Sequence, residues 1–263
     1  MATPRKPGST AAPKREPAYL ETSQRPLTTL VFLLPLLIFH EVGAILFFAN
    51  QDGWDVERLR ARKILAGIFN AFGASGLLLP GLAMVAVLLV WHLMLRDRWR
   101  VRAGVLLGMA VETIAWTLPL LVCMALVRIV LDRPAGGAMA LQDAGGALRE
   151  MPLLAGLTFA VGAGLFEELL FRMMLMAAVH LVAVDAARLP DRAGRLLAAV
   201  VSTLVFAFFH DPYLAGGGLD WPALAELLFA GAWFSALYLF RGFAIVAGSH
   251  ALYDAVITLL FHA

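Results

Sequence analysis

Long apolar runs alternate with short polar breaks along the whole chain. The runs cover Leu27 to Asn50, Ile64 to Leu95, Ala103 to Leu131, Pro152 to Val184, Leu196 to His210, Pro222 to Phe240 and the stretch after Arg241-Gly242. A helix needs roughly 20 apolar residues to cross a bilayer, and most of these runs supply them. The run from Ile64 to Leu95 is longer than one upright span needs. A span from about Ala71 with an interfacial lead-in accommodates it. The pattern predicts an all-α fold, a polytopic transmembrane helical bundle of about seven or eight spans.

The breaks define the organisation. Residues 1–26 hold five prolines and five basic residues. Such a segment cannot bury enough apolar surface to order itself, so it reads as a disordered polar tail. The run after it is too long for a signal-peptide core, and no A-x-A-like cleavage site follows at a sensible distance. The mixed charges of Gln51 to Lys63 suggest a short interfacial helix. Residues 132–151 read as a loop, with Pro134, Gly136-Gly137 and Gly145-Gly146. The chain thus divides into the tail 1–26, scaffold helices over 27–151 and a C-terminal helical core over 152–263. Lys and Arg number five, four and three in 1–26, 96–102 and 185–195, against four, two and none in the alternate segments 51–63, 132–151 and 211–221. This imbalance favours a cytoplasmic N-terminus.

Composition narrows the function classes. Of 263 residues, 61% are hydrophobic and 15% charged, where soluble domains carry about 45–50% and about 25%. That excludes an ordinary soluble enzyme, a disordered chain and a nucleic-acid-binding module. The net charge of +2 implies no strongly charged partner. The single cysteine, Cys123, rules out an internal disulfide and a Cys-rich zinc site. It reads as a small buried residue. Trp91 and Trp99 read as interfacial belt residues.

Ionisable side chains inside apolar helices cost about 2.5–3.5 kcal/mol each at the bilayer centre, so their positions are informative. They are His40, Glu41, His92, Glu112, Arg128, Glu167, Glu168, Arg172, His180, His210, Glu226, His250, Asp254 and His262. Glu168 and Arg172 stand four apart with the acid first, the favourable order for a helical ion pair. Glu167 points about 100° away and has no local cation. A buried carboxylate of that kind suits general-base work. The alternative is that Glu167, Glu168 and Arg172 form one packing network. His210 ends the aromatic stretch Phe206-Ala207-Phe208-Phe209. His250 and Asp254, four apart, share a face and could equally satisfy each other.

Glu-Glu-x-x-x-Arg, then Phe-x-x-x-His, then His-x-x-x-Asp, each on its own apolar helix, resembles the CPBP family. These are the CAAX prenyl endopeptidases and the bacteriocin-processing or Abi-type intramembrane proteases. The resemblance runs from Glu167 to Asp254, about a third of the chain. It implies an intramembrane endopeptidase whose catalytic core lies in 152–263. Glu167 would be the catalytic glutamate, and His210 its partner in activating water. His250 with Asp254 would hold the oxyanion, while Glu168 and Arg172 would support the site. The family pattern often has Asn where Asp254 stands. An ionised Asp only accepts hydrogen bonds, so the donor role falls on His250 first.

The implied partners are a membrane-anchored or lipidated protein substrate and the lipid bilayer, with no nucleic acid. The Ala, Arg and Leu content points to a bacterial plasma membrane. No cofactor is required on the first reading. Zinc is the alternative, since Glu167, His210, His250 and Asp254 are all of ligating type. The chain lacks H-E-x-x-H, and the resemblance is compatible with both mechanisms.

Three rival readings exist. Gly73-Ala74-Ser75-Gly76 resembles the rhomboid serine-protease motif, with His210 or His250 as base. Small residues that allow close helix packing explain the same stretch. A non-catalytic scaffold or immunity protein would keep the motifs without cutting. A proton-coupled transporter would use a Glu/His relay, but the two halves show no matching interruptions. His40 and Glu41 either face the same cavity or serve packing.

Overall fold

The computed structural model describes residues 18–48, 60–74, 76, 78–131, 152–214 and 216–262. The helices among them are α1 (Tyr19–Ser23), α2 (Pro26–Phe48), α3 (Arg60–Ala71), α4 (Leu79–Leu95), α5 (Ala103–Val130), α6 (Leu153–Ala186), α7 (Asp191–Phe209), α8 (Trp221–Arg241) and α9 (Phe243–His262). Six of these, α2 and α5 to α9, are long and apolar enough to cross a membrane. Helix α4 is apolar but has only 17 residues. With it, the seven predicted apolar runs each have a helix, and the fold is the expected polytopic helical bundle.

Two boundaries differ from the sequence expectation. In the run from Ile64 to Leu95 the lead-in is the helix α3, which ends at Ala71, and the span α4 starts at Leu79 rather than near Ala71. Gly73 takes a left-handed φ of +76°, which Gly adopts without steric cost. Pro80 then opens α4, where its missing N–H costs nothing. The second difference is α1, which lies inside the segment expected to be a disordered tail. Residues 1–17 of that tail, residues 51–59 of the interfacial helix expected over Gln51 to Lys63 and the loop 132–151 lie outside the described residues, while Arg60 to Lys63 open α3.

Helix α1 is ordered because its polar groups find buried partners. Tyr19 Oη donates to Glu112 Oε2 at 2.6 Å. Arg241 binds the same carboxylate and also donates to Ser23 Oγ at 3.2 Å. Burial, then the bond to Glu112, pushes the Tyr19 phenol up to about 12, so it stays a donor through the neutral range. Arg25 reaches Asp97 at 3.0 Å. These contacts gather the starts of α1 and α2, the end of α4, the first third of α5 and the α8–α9 turn at one end of the bundle. Gly242 makes that turn with φ +79°.

The core is built on α9, which packs most extensively against α6. The approach is close because Gly164 has no side chain. A Cβ there would lie 2.3 Å from the Ala251 nitrogen and 2.5 Å from its Cα. Small residues at helix contacts permit such crossings in membranes. Glu168 stands one turn beyond Gly164, on the same face, and His250 precedes Ala251. The contact therefore sets Glu168 against the imidazole of α9.

Gly164→Ala should force α6 and α9 apart. Overpacking of this kind typically costs about 1–3 kcal/mol. The expected outcome is a lower thermal unfolding midpoint in detergent, whereas an unchanged midpoint contradicts the close contact.

Candidate active site

The site begins with an irregularity in α6. Directly after Glu167-Glu168 the helix adopts π hydrogen bonding over Leu169–Leu175. Single π turns are rare and concentrate at functional sites. Ser202 of α7 supplies a further donor to this segment, bonding the Phe171 carbonyl at 3.0 Å.

Arg172 leaves the π segment and returns to Glu168, with Nη1 to Oε1 at 3.0 Å and both side chains fully buried. It also donates to the Gly231 carbonyl of α8 at 3.2 Å. Its guanidinium lies 4.4 Å from the Phe206 ring centroid and 5.5 Å from that of Phe234. Aromatic faces stabilise a desolvated cation electrostatically. The predicted ion pair is thus present, boxed by two phenyl rings and a carbonyl.

Glu168 does more than pair with arginine. The same oxygen, Oε1, receives Nδ1 of His250 at 2.7 Å. The other ring nitrogen, Nε2, stands 3.3 Å from Asp254 Oδ2. Phe234 stacks on the imidazole with centroids 4.4 Å apart and planes 18° off parallel. A chain of charge runs Arg172–Glu168–His250–Asp254 across one turn of α6 and one turn of α9. Both nitrogens of His250 face carboxylates, so the ring either donates twice as imidazolium or shares a proton with one of the acids.

His210 caps the end of α7. Its Nδ1 donates back to the Phe206 carbonyl at 2.8 Å, and a carbonyl can only accept. This fixes the tautomer and turns Nε2 toward Glu167 Oε2, 3.4 Å away. The separation is at the long limit for a direct hydrogen bond and leaves no room for a group between the two atoms, so a shared partner would sit beside them both. Both side chains are buried, at 2% and 3% exposure. Glu167 also lies within electrostatic range of His250 and Arg172, and Asp254 within range of Glu167 and His210. The structure thus gathers all six expected site residues into one buried cluster.

Three carboxylate oxygens in it, Glu167 Oε2, Glu168 Oε2 and Asp254 Oδ1, are buried with no hydrogen-bond partner. An unpaired buried polar atom is costly, and in a native site it marks hydrogen-bonding capacity held for something else. Three acids face three bases, Arg172, His210 and His250, so the cluster can reach neutrality by distributing its protons.

Among the described residues, no group of three or more His, Cys, Asp or Glu side chains is arranged to hold a metal ion. As placed, His250 spends both nitrogens on carboxylates and His210 spends one on a carbonyl. Ser75, the nucleophile of the serine-protease alternative, lies outside the described residues.

The remaining ionisable groups have other partners. Glu112 binds Arg241, Arg128 binds Glu226 at 3.2 Å, and His180 meets Asp191 at 3.0 Å. His92 packs edge-on against Trp99, and His262 bonds the Thr258 carbonyl. His40 and Glu41 join Arg62 in a separate network. Arg62 belongs to the mixed-charge stretch Gln51 to Lys63, whose sequence carries no sign of this pairing.

Six apolar helices define the class as an integral membrane protein, and the acid–imidazole cluster is buried within its bundle. Residues 149–256 match the family model described as type II CAAX prenyl endopeptidase Rce1-like, so this part of the chain is similar to the CAAX-protease domain. The match spans all six cluster residues, and the resemblance drawn from the three motifs is borne out. No curated protein and no solved structure matches the chain.

Removing one partner of a buried ion pair strands the other charge, typically at a cost of about 3–5 kcal/mol. Arg172→Ala should therefore lower stability on that scale in denaturant unfolding from micelles. A loss below about 1 kcal/mol, the range of exposed pairs, contradicts the buried pairing.

Proposed function

We propose that the protein is an intramembrane endopeptidase that uses Glu167 and His210 to activate water. The observation that carries this reading is the buried 3.4 Å approach of Glu167 Oε2 to His210 Nε2, with the imidazole tautomer fixed from behind by the Phe206 carbonyl. A water bridging the two would give one proton to Glu167 as its oxygen attacks the scissile carbonyl carbon. His210 would accept from or donate to the same water. The proton taken up then passes to the leaving amine as the C–N bond breaks. Acid–base groups placed this way contribute typically about 10²–10⁴ in rate.

The developing oxyanion needs a donor. His250 Nε2 is the nearest candidate, because its 3.3 Å contact with Asp254 is loose while its 2.7 Å bond to Glu168 is tight. Glu168 would anchor the ring and Nε2–H would turn to the substrate oxygen. Asp254 can add a second donor only when it carries a proton. Arg172 acts through Glu168, as the cation that holds that carboxylate in place. No metal is required by this scheme.

The substrate class follows from the surroundings. An apolar cavity of about 490 Å³ is bounded by Leu65, Phe69, Met84, Trp91, Leu169 and Met173. Leu169 directly follows Glu168, so the cavity adjoins the π segment beside the site. It suits the apolar anchor of a membrane-bound or lipidated polypeptide. The excess of basic residues at the α1 end favours a cytoplasmic N-terminus.

The test uses the full chain in detergent micelles with a farnesylated C-a-a-X peptide and an unprenylated transmembrane peptide as probes. Glu167→Gln and His210→Ala should each lower kcat by about 10²–10⁴ while the unfolding midpoint holds. His250→Ala should cost about 10²–10³, the usual loss for an oxyanion donor. Ser75→Ala should leave the rate unchanged. Full activity in Glu167→Gln contradicts the proposal, and unimpaired biological function in both variants favours the scaffold reading.

A further inference from the structure

Helix α3 lies outside the matched residues 149–256, yet it touches both sides of the Glu167–His210 pair. Arg62 is only 3% exposed. Its Nη1 donates to His40 Nε2 at 2.6 Å and its Nη2 to Glu41 Oε2 at 2.9 Å. His40 is locked in turn, because its Nδ1 donates to the Thr158 carbonyl of α6 at 2.9 Å. The Arg62 guanidinium lies 5.3 Å from the Phe166 ring centroid, and the His40 ring meets that ring edge-on at 5.2 Å. Phe166 is fully buried and immediately precedes Glu167. The network thus bears on the turn of α6 that presents the candidate base.

Arg60 acts on the other partner. Its Nη1 donates to the Phe209 carbonyl at 2.6 Å, and its Nη2 pairs with Asp211. The guanidinium also lies 6.0 Å from the Phe209 ring centroid. Phe209 and Asp211 flank His210 on both sides. Asp211 has a φ of +47°, a conformation that a non-glycine residue keeps only when its surroundings hold it. Residues two apart on a helix point to nearly opposite sides, so one short helix can grip α6 through Arg62 and the end of α7 through Arg60.

We infer that Arg60 and Arg62 are positioning residues that set the separation of Glu167 and His210. This rests on the peptidase reading for its catalytic consequence and on geometry alone for its structural one. Arg60 is the better probe. Its pair with Asp211 is half exposed, at 43% and 60%, and exposed pairs add little to stability. Losing it should therefore move His210 without unfolding the protein. Arg62 is less clean, since its removal strands His40 and Glu41 in the interior, so the conservative Arg62→Lys accompanies it.

The experiment compares wild type, Arg60→Ala, Arg60→Lys and Arg62→Lys as full chains in micelles. One arm measures kcat and KM on the farnesylated C-a-a-X peptide. Misplacement by about 1 Å can cost about 10²-fold in rate, so Arg60→Ala should lose about tenfold or more in kcat. Arg60 does not border the apolar cavity, so KM should hold. Arg60→Lys keeps a donor for the Phe209 carbonyl and should recover most of the loss. Arg62→Lys should lower kcat with KM unchanged. The second arm needs no proteolysis: diethyl pyrocarbonate modification of His210 is followed by mass spectrometry, with the thermal midpoint alongside. His210 is 4% exposed, and Arg60→Ala should make it react severalfold faster at an unchanged midpoint. If wild type leaves the peptide uncut, the peptidase reading fails and the modification arm still decides the inference. Unchanged His210 reactivity in Arg60→Ala overturns it, as does a kcat loss that merely follows a lower midpoint.

Discussion

A charged side chain inside an apolar bundle has no water to stabilise it, and that constraint organises this molecule. Each buried ion must find a counter-ion or a dipole on another helix. Glu168 illustrates the result. One carboxylate oxygen takes both the Arg172 guanidinium and the His250 imidazole. It thereby ties the π segment of α6 to α9. Around it the other acids and bases fall into place, because none of them has a cheaper partner in the hydrocarbon. The chemistry proposed for Glu167 follows from the same economy: it is the acid for which arginine is not the direct partner, left to share its proton with an imidazole.

Backbone packing makes the arrangement possible. Helices α6 and α9 meet where Gly164 leaves no Cβ between them and Ala251. A wider crossing would separate Glu168 from His250 and leave both without their strongest contact. The π turn adds a second adjustment, and Ser202 supplies a donor to the carbonyl of Phe171 within it. At the far end, α1 and the α8–α9 turn are joined through Glu112, Arg241 and Tyr19. These are structural uses of the same rule, with no chemistry attached.

Much of this was legible in the chain. Spacing alone pointed to the Glu168–Arg172 pair, since residues four apart on a helix must be neighbours. The apolar runs marked the helices, because a bilayer leaves few other ways to satisfy the backbone. Other features depended on contacts between distant segments and had no local signature. Nothing at position 168 announces that the oxygen paired with Arg172 also serves His250. The network of His40, Glu41 and Arg62 joins α2 to α3 across a polar connector, so its members read as unrelated charges. Tyr19–Ser23 looked like tail because its partners lie on α5 and α8. Within Ile64 to Leu95 the break falls at the small and polar stretch of Asn70, Gly73 and Gly76, and Pro80 and the left-handed Gly73 delay the span to Leu79.

The central claim is that Glu167 and His210 work as one unit on one water. Groups that act as a unit are strongly non-additive when removed. The direct measurement is a double-mutant cycle on kcat with Glu167→Gln, His210→Ala and the combined variant. The account predicts that the combined variant is no slower than the slower single one. Losses that multiply, each variant lowering the rate independently of the other, would contradict it.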